Sequence, residues 1–146
     1  MEEIVKSKSK IVLAINKIDK IEKQKITAYE PMPIELSSSI GESLSISDGK
    51  YIIIGSDISR IRIIASMQFV SSEVKQHNML IRLLRDGAIS TLATANVYGL
   101  NSSVEKVIYQ YVRKGDKIFV SSNTDTVVNS ATTGGSRSGI IVEKIA

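Results

Sequence analysis

The chain has 146 residues, of which 42% are apolar, and it carries a formal net charge of +4. This length and composition predict a globular protein with a substantial core, and the absence of cysteine excludes disulfides, thiolate metal sites and thiol nucleophiles. No apolar run is long enough to span a membrane and the first residues are acidic, so we expect a soluble cytoplasmic protein.

The first half of the chain predicts a mixture of helices and strands. Val12, Ile15 and Ile18 recur with helical spacing, whereas the run KYIIIG over 50–55 is typical of a buried strand. In chain order the predicted elements are a helix over 9–20, a strand over 24–30, a short helix over 34–46, a turn at 47–49, and strands over 50–55 and 60–70.

The second half is organised around a predicted strand, turn and helix. A first helix is predicted over 74–85, with Ser72 as its N-cap and Gly87 just past its end. It is followed by a β-prone run over 88–95, a polar turn over 96–101, an amphipathic helix over 102–112, a strand over 116–122, a polar arm over 123–139 and a closing strand over 140–145.

The order of these elements repeats after about 66 positions. Ile4-Val5 aligns with Phe69-Val70, and the segment 49–52 aligns with 116–119. Halves of this size bury little surface alone, so each would be stabilised by packing against the other. We therefore expect two units, residues 1–66 and 67–146, that form a pseudo-dimer; alternatively, residues 1–66 are an N-terminal extension.

A gapless pattern of small and apolar residues runs through Gly87, Ala95, Leu100, Val104 and Val107, and it continues at 116–118 and at 136–138. In this pattern residues 73–146 resemble the Alba family of archaeal DNA- and RNA-binding chromatin proteins. The resemblance implies an α+β fold, a βαβαββ sandwich, here present as two units in tandem. The many Ile and Lys residues, with no Trp or Cys, agree with a thermophilic source.

The resemblance also implies binding of duplex DNA or structured RNA at a nucleoid-associated, cytoplasmic location. Such binding needs cations spaced to meet backbone phosphates, because counterion release supplies most of the non-specific affinity. The predicted contacts combine an alternating lysine run, a lysine beside the first helix, the polar turn and the hairpin arm. These residues are Lys6, Lys8, Lys10, Lys75, Asn96, Tyr98, Asn101 and Arg137.

Each predicted contact residue also has an ordinary structural interpretation. The lysine run fits a solvated surface, and Arg137 lies in TTGGSRSG, which is typical of any exposed hairpin tip. Asn96 and Asn101 are common turn residues. Tyr98 suits a cap over the edge of the core as well as it suits stacking on a base.

Two departures from the Alba pattern support an alternative function. Ser71-Ser72 replaces the family's lysine pair, and Asn96-Val97-Tyr98 replaces its basic turn. The alternative is an Alba-like structural module that has lost nucleic-acid binding and binds a second copy of itself or an Alba-type subunit.

The sequence predicts no catalysis, no cofactor and no metal site. The segment NKID over 16–19 mimics a guanine-binding motif, but no phosphate-binding loop accompanies it. His77 is the only histidine, so a His-rich metal site is excluded, and we expect this residue on a helix surface or at an interface. A small phosphorylated ligand at the 96–101 turn is the remaining enzymatic hypothesis.

Overall fold

The computed structural model describes residues 10–14, 23–40, 44–129 and 138–146, and within them the chain forms strands and no helix. The strands are β1 (Lys10–Ala14), β2 (Lys23–Ile26), β3 (Glu35–Ile40), β4 (Leu44–Ser47), β5 (Tyr51–Ile54), β6 (Arg60–Phe69), β7 (Lys75–Arg85), β8 (Ala88–Gly99), β9 (Ser102–Tyr111), β10 (Lys117–Ser121), β11 (Thr126–Asn129) and β12 (Gly139–Lys144).

The strands pair antiparallel in two sheets that stack as a sandwich. In the seven-stranded sheet β6 is central: β9 pairs along one edge, and the other edge pairs with β12 and then with β11. β12 leads on to β1 and β3, while β11 leads on to β2. The five-stranded sheet has the order β4-β5-β10-β7-β8.

The core lies between the sheets and follows the two-residue period of the strands. Every second side chain of β6 is fully buried, from Ile61 through Ile63, Ala65 and Met67 to Phe69. The facing sheet contributes buried residues of β5, β7 and β10, which include Ile52, Met79, Ile81, Ile118 and Val120. Burying one such side chain stabilises the fold by roughly 1.5–3 kcal/mol, so this interlayer is the main source of stability.

Two Asp-Gly pairs form the turns of the five-stranded sheet. Asp86 and Gly87 both have positive φ, 52° and 79°, and they join β7 to β8 as a two-residue loop between the paired residues Arg85 and Ala88. This is the backbone that hairpin turns of Asp-Gly type require. Asp48 and Gly49 connect β4 to β5 with φ of 56° and 62°.

The predicted strands over 50–55, 60–70, 116–122 and 140–145 are confirmed as β5, β6, β10 and β12, and the strand over 24–30 is confirmed in part as β2. The predicted helices over 74–85 and 102–112 are wrong, because these segments are β7 and β9. The helix over 34–46 is also wrong, since its described part forms β3 and β4. Of the helix over 9–20, residues 10–14 are strand β1 and the rest lies outside the described residues.

The α+β fold with tandem βαβαββ units is therefore wrong. Each sheet combines strands from both halves of the sequence: β12 lies between β1 and β6 in the larger sheet, and β10 joins β5 to β7 in the smaller one. The predicted boundary after residue 66 falls inside β6.

Candidate interaction surface

β8 and β9 are long strands at the edges of the two sheets. Among the described strands, β8 pairs only with β7 and β9 only with β6, so each has one edge without a neighbour. The segment between Asp86 and Glu105 contains no charged residue, and it includes all of β8. Proteins usually protect such edges with charges or bulges, and β8 has a bulge at Leu92 but no charge. An uncharged, exposed strand of this length is typical of a surface that another chain covers.

Aromatic and apolar side chains continue this surface onto the outer face of the seven-stranded sheet. The residues of β9 that point outward include Val107, Tyr109 and Tyr111, and the two tyrosines are 54% and 71% exposed. The register places these three residues beside Ile64, Arg62 and Arg60 of β6, and β12 adds Ile141 and Glu143 on the far side. We call this set, Arg60, Arg62, Ile64, Val107, Tyr109, Tyr111, Ile141 and Glu143, the tyrosine face.

The arginines of the tyrosine face are either stacked on aromatic rings or paired with a carboxylate. The Arg60 guanidinium lies over both tyrosine rings, 5.4 Å from the centroid of Tyr109 and 5.3 Å from that of Tyr111. The Arg62 Nη2 lies 2.7 Å from the Glu143 Oε1. Cations stacked on rings and paired with carboxylates lose much of their hydration. The face is therefore suited to contact with protein more than to contact with solvent.

His77 lies in the core behind the turn that joins β8 to β9. Its side chain is only 1% exposed, and its ring stacks on Phe69 with centroids 4.6 Å apart and planes 14° from parallel. Neither ring nitrogen has a hydrogen-bond partner among the described residues. Burial lowers the pKa of His77, the nearby Gly99 backbone opposes that shift without completing a hydrogen bond, and the charge of Lys75 adds to it. The expected position on a helix surface or at an interface is wrong.

An ion pair between the buried Asp116 and the partly exposed Arg85 fixes the opposite end of β7. Arg85 donates from Nε to Asp116 Oδ1 at 2.9 Å and from Nη2 to Asp116 Oδ2 at 2.6 Å, and the Arg113 backbone N–H donates to the same carboxylate at 2.8 Å. Burial alone would raise the pKa of Asp116, but these donors outweigh it and hold that pKa below its usual value. The pair ties the β9–β10 connection to the end of β7.

The structure brings four of the predicted site residues to one end of the sandwich. Lys75 begins β7 and pairs in register with Gly99, and Tyr98 is an exposed residue of β8. The Asn96 Oδ1 accepts a hydrogen bond from Asn78 Nδ2, and the Asn101 Oδ1 accepts one from the Ser71 backbone N–H at 3.3 Å. The predicted turn over 96–101 is thus mostly the end of strand β8.

The other predicted contact residues do not join this group. Lys10 lies in β1, opposite Glu143 of β12 and Ile40 of β3. Lys6, Lys8 and Arg137 lie outside the described residues, as does the segment TTGG over 132–135. The described residues contain no group of three or more His, Asp or Glu side chains placed to hold a metal ion. They also contain no helix of the length and apolarity that a membrane span needs.

Sequence reasoning missed the tyrosine face itself. Val107, Tyr109 and Tyr111 alternate with other residues at the two-residue period of a strand. That signal was hidden because Val104, Val107, Ile108 and Tyr111 also fit a helical spacing.

Comparison with known proteins identifies the fold. No family model and no curated protein sequence matches the chain. Among solved structures, Eiger TNF from S. frugiperda superposes with a TM-score of 0.78 at 10% identity, covering 95% of this chain and 93% of that one. A structure of murine APRIL at pH 5.0 gives 0.73 at 13% identity, covering 94% and 99%, and one at pH 8.5 gives 0.74 at 11% with the same coverage.

The chain therefore has a TNF-like jelly-roll fold, a sandwich of two antiparallel sheets. This finding shows that the Alba resemblance is wrong, and the predicted nucleic-acid function, chromatin association and Alba-type partner are wrong with it. The physical reason is plain in the described residues: the strand–turn–helix unit on which the resemblance depends does not exist. Its turn and second helix are the uncharged end of β8 and the paired strand β9.

Proposed function

We propose that this chain is a non-enzymatic protein-recognition module that acts as a homo-oligomer, in which copies meet through the tyrosine face and the neighbouring edge strands. The observation that carries the proposal is the exposure of Tyr109 and Tyr111 on an otherwise regular sheet face. The fold similarity to TNF-type proteins supports protein recognition, and it gives no support to catalysis.

The size of the exposed aromatic surface is that of a functional patch. A tyrosine side chain has roughly 150–250 Å² of surface to bury. With 54% and 71% of their surface open, Tyr109 and Tyr111 together expose roughly 250 Å². Val107, Ile64 and Ile141 extend this surface, which brings it into the range of the largest apolar patches that monomers tolerate.

A second copy of the chain is the partner that the chemistry favours. The tyrosine face carries a cation at Arg60 and a neutral ion pair at Arg62 and Glu143, and β8 beside it has no charge. A copy offers the same rings and the same uncharged strand, and its Arg60 already lies over its own tyrosine rings, so the contact would bury mainly aromatic and apolar surface. Closed symmetric assemblies use such self-compatible patches, and they remove open strand edges.

Analytical ultracentrifugation of the wild type and of Tyr111→Glu tests this proposal. A carboxylate in place of the most exposed ring of the tyrosine face should weaken association by roughly 30-fold or more, as hot-spot substitutions do. Tyr29→Glu is the matched control, since Tyr29 is 56% exposed and belongs to the β2–β3 connection. Sedimentation of the wild type as a monomer at every concentration would refute the proposal, and so would equal association of Tyr111→Glu and the wild type.

A further inference from the structure

The five-stranded sheet carries positive charge and no negative charge. Its five strands contain four cationic side chains and no Asp or Glu, and the cations are Lys75, Arg82, Arg85 and Lys117. Arg85 is neutralised by Asp116, and Lys75 lies at the end of its strand. The other two cations, Arg82 and Lys117, form no ion pair with any described residue.

The alternation of the strands places these two cations on the outside of the sandwich. On β7 Ile81 and Leu83 belong to the core, so Arg82 between them points outward. On β10 Ile118 belongs to the core, so Lys117 points outward as well. The register of β7 with β10 makes Arg82 and Lys117 diagonal neighbours on the two strands, roughly 7–8 Å apart.

Aromatic rings lie against both cations. The Arg82 guanidinium carbon lies 5.6 Å from the centroid of the Tyr29 ring and 5.9 Å from that of the Phe119 ring. The Lys117 Nζ lies 5.3 Å from the centroid of Tyr51, whose ring meets that of Phe119 edge to face at 5.5 Å. We call these five residues the cationic cluster. Cations stacked on rings keep their charge and lose part of their hydration, so less water must be removed when a carboxylate binds them.

The backbone at Tyr29 adopts a conformation that core packing does not explain. Its φ is 65°, which is uncommon for a bulky residue, and its N–H donates to the Ser122 carbonyl at 2.7 Å. The side chain is nevertheless 56% exposed, so the strain serves to place a ring over Arg82 at the surface. Strained positions of this kind cluster at binding sites.

Apolar side chains surround the cationic cluster. Leu84 pairs in register with Lys117 on one side and with Ile89 on the other, and Ile89 is 50% exposed. Ile53 of β5 pairs with Lys117 from the opposite edge of β10. The surface thus presents two cations among apolar and aromatic groups. Polyanions such as nucleic acids are bound by larger numbers of cations, whereas isolated carboxylates beside apolar side chains are typical of a protein surface.

We propose that the cationic cluster binds an extended acidic segment of a partner protein, with carboxylates at two alternate positions and an apolar residue at the next. Alternate residues of an extended chain lie about 6.6 Å apart, which is close to the roughly 7–8 Å between Arg82 and Lys117. A second copy of this surface is a poor occupant, because it would bring like charges together. The tyrosine face lies on the other sheet, so this inference does not depend on the proposed assembly.

An array of random nine-residue peptides, probed with the fluorescently labelled protein, tests the site. Bound peptides should be enriched in pairs of Asp or Glu at alternate positions with Leu, Ile or Val nearby. Fluorescence anisotropy of the best peptide should show binding about tenfold weaker or more for the double variant Arg82→Gln, Lys117→Gln, because charge-assisted hydrogen bonds are lost. The double variant Lys25→Gln, Lys114→Gln is the matched control, since it removes the same charge from two exposed lysines outside this sheet and should bind as the wild type does.

Tyr29→Asn is a second variant that keeps both cations. Asn adopts positive φ more readily than Tyr does, so this variant should remain folded, and loss of the ring over Arg82 should weaken binding of the same peptide. If the double variant fails to fold, unchanged peptide binding by Tyr29→Asn overturns the proposal on its own.

Three further results would overturn the proposal. The first is an array without bound peptides or without enrichment of acidic pairs. The second is equal peptide binding by the wild type and a folded Arg82→Gln, Lys117→Gln protein. The third is an equal loss of binding in the control variant, which would show that net charge alone matters. Sedimentation reports the assembly separately, so a failure of this site is distinguishable from a failure of the proposed function.

Discussion

Mild acidification, from about pH 7 to pH 5, should destabilise this protein through His77. The ring is stacked on Phe69 in the core and neither nitrogen has a partner among the described residues, so burial holds its folded-state pKa below the unfolded value of about 6.5. Above that pH the ring is neutral in both the folded and the unfolded chain, so its protonation does not affect stability. As the pH falls below it, the unfolded chain takes up a proton that the folded chain resists, so stability decreases until the pH reaches the folded-state pKa.

The size of the pH effect on stability is set by the uptake of one proton per molecule. Between the two pKa values the free energy of unfolding should fall by at most about 1.4 kcal/mol per pH unit. His77→Phe is the informative variant, because it keeps a ring against Phe69 and removes both unsatisfied nitrogens. It should be at least as stable as the wild type at neutral pH, since two unsatisfied polar atoms are lost.

Urea denaturation of both proteins at several pH values between about 5 and 7.5 measures this effect. Because His77 is the only histidine, the wild-type stability should fall towards acid while that of His77→Phe stays nearly level. A constant difference between the two proteins across this range would refute the reasoning. It would mean that the folded protein accepts the proton as readily as the unfolded chain does.

Two further predictions concern the end of β7 at Arg85. Asp116→Asn should lower the free energy of unfolding by roughly 2 kcal/mol, less than for a fully buried pair because Arg85 is partly solvated. The pKa of Asp116 is lowered in the fold, so its contribution to the free energy of unfolding should be present above the unfolded-state pKa of about 3.9 and be lost as the pH falls below that value. Equal acid sensitivity of the wild type and Asp116→Asn would contradict this. Gly87→Ala should lower the free energy of unfolding by about 1–2 kcal/mol through its positive φ alone, because the added Cβ meets no atom within 4 Å. Gly87→Asn should lower it less. If chemical denaturation shows no loss of stability for either variant, backbone strain at this position is excluded.

The strands rich in isoleucine and valine could be predicted from sequence, because a high density of β-branched residues favours a strand over a helix or a loop. KYIIIG and RIRIIASMQFV are examples. The hairpin at Asp86-Gly87 also carried a readable signal, but that signal was interpreted as the end of a helix. The segment before it, VKQHNMLIRLLR, is rich in good helix formers and follows a capping serine. Its pairing with β8 and β10 on both edges overrides this local preference.

The tyrosine face was predictable only in part. The spacing of Tyr109 and Tyr111 shows a shared face once β9 is known to be a strand. Their neighbours Arg60 and Arg62 are distant in sequence and reach them only through the register of β6 with β9. Register is set by the whole fold, so no local pattern could place these arginines on the rings.

The position of β12 has a consequence for how the chain folds. β12 separates β1 from β6, so the two strands that flank it cannot complete the larger sheet until residues 139–144 have been added. During synthesis on the ribosome, the edge of β6 that pairs with β12 would stay open while about half of the chain is translated. Sheets built from such distant segments form slowly, in milliseconds to seconds, and their open edges favour aggregation meanwhile. The yield of folded protein should therefore depend on how long β6 stays exposed as well as on the stability of the core.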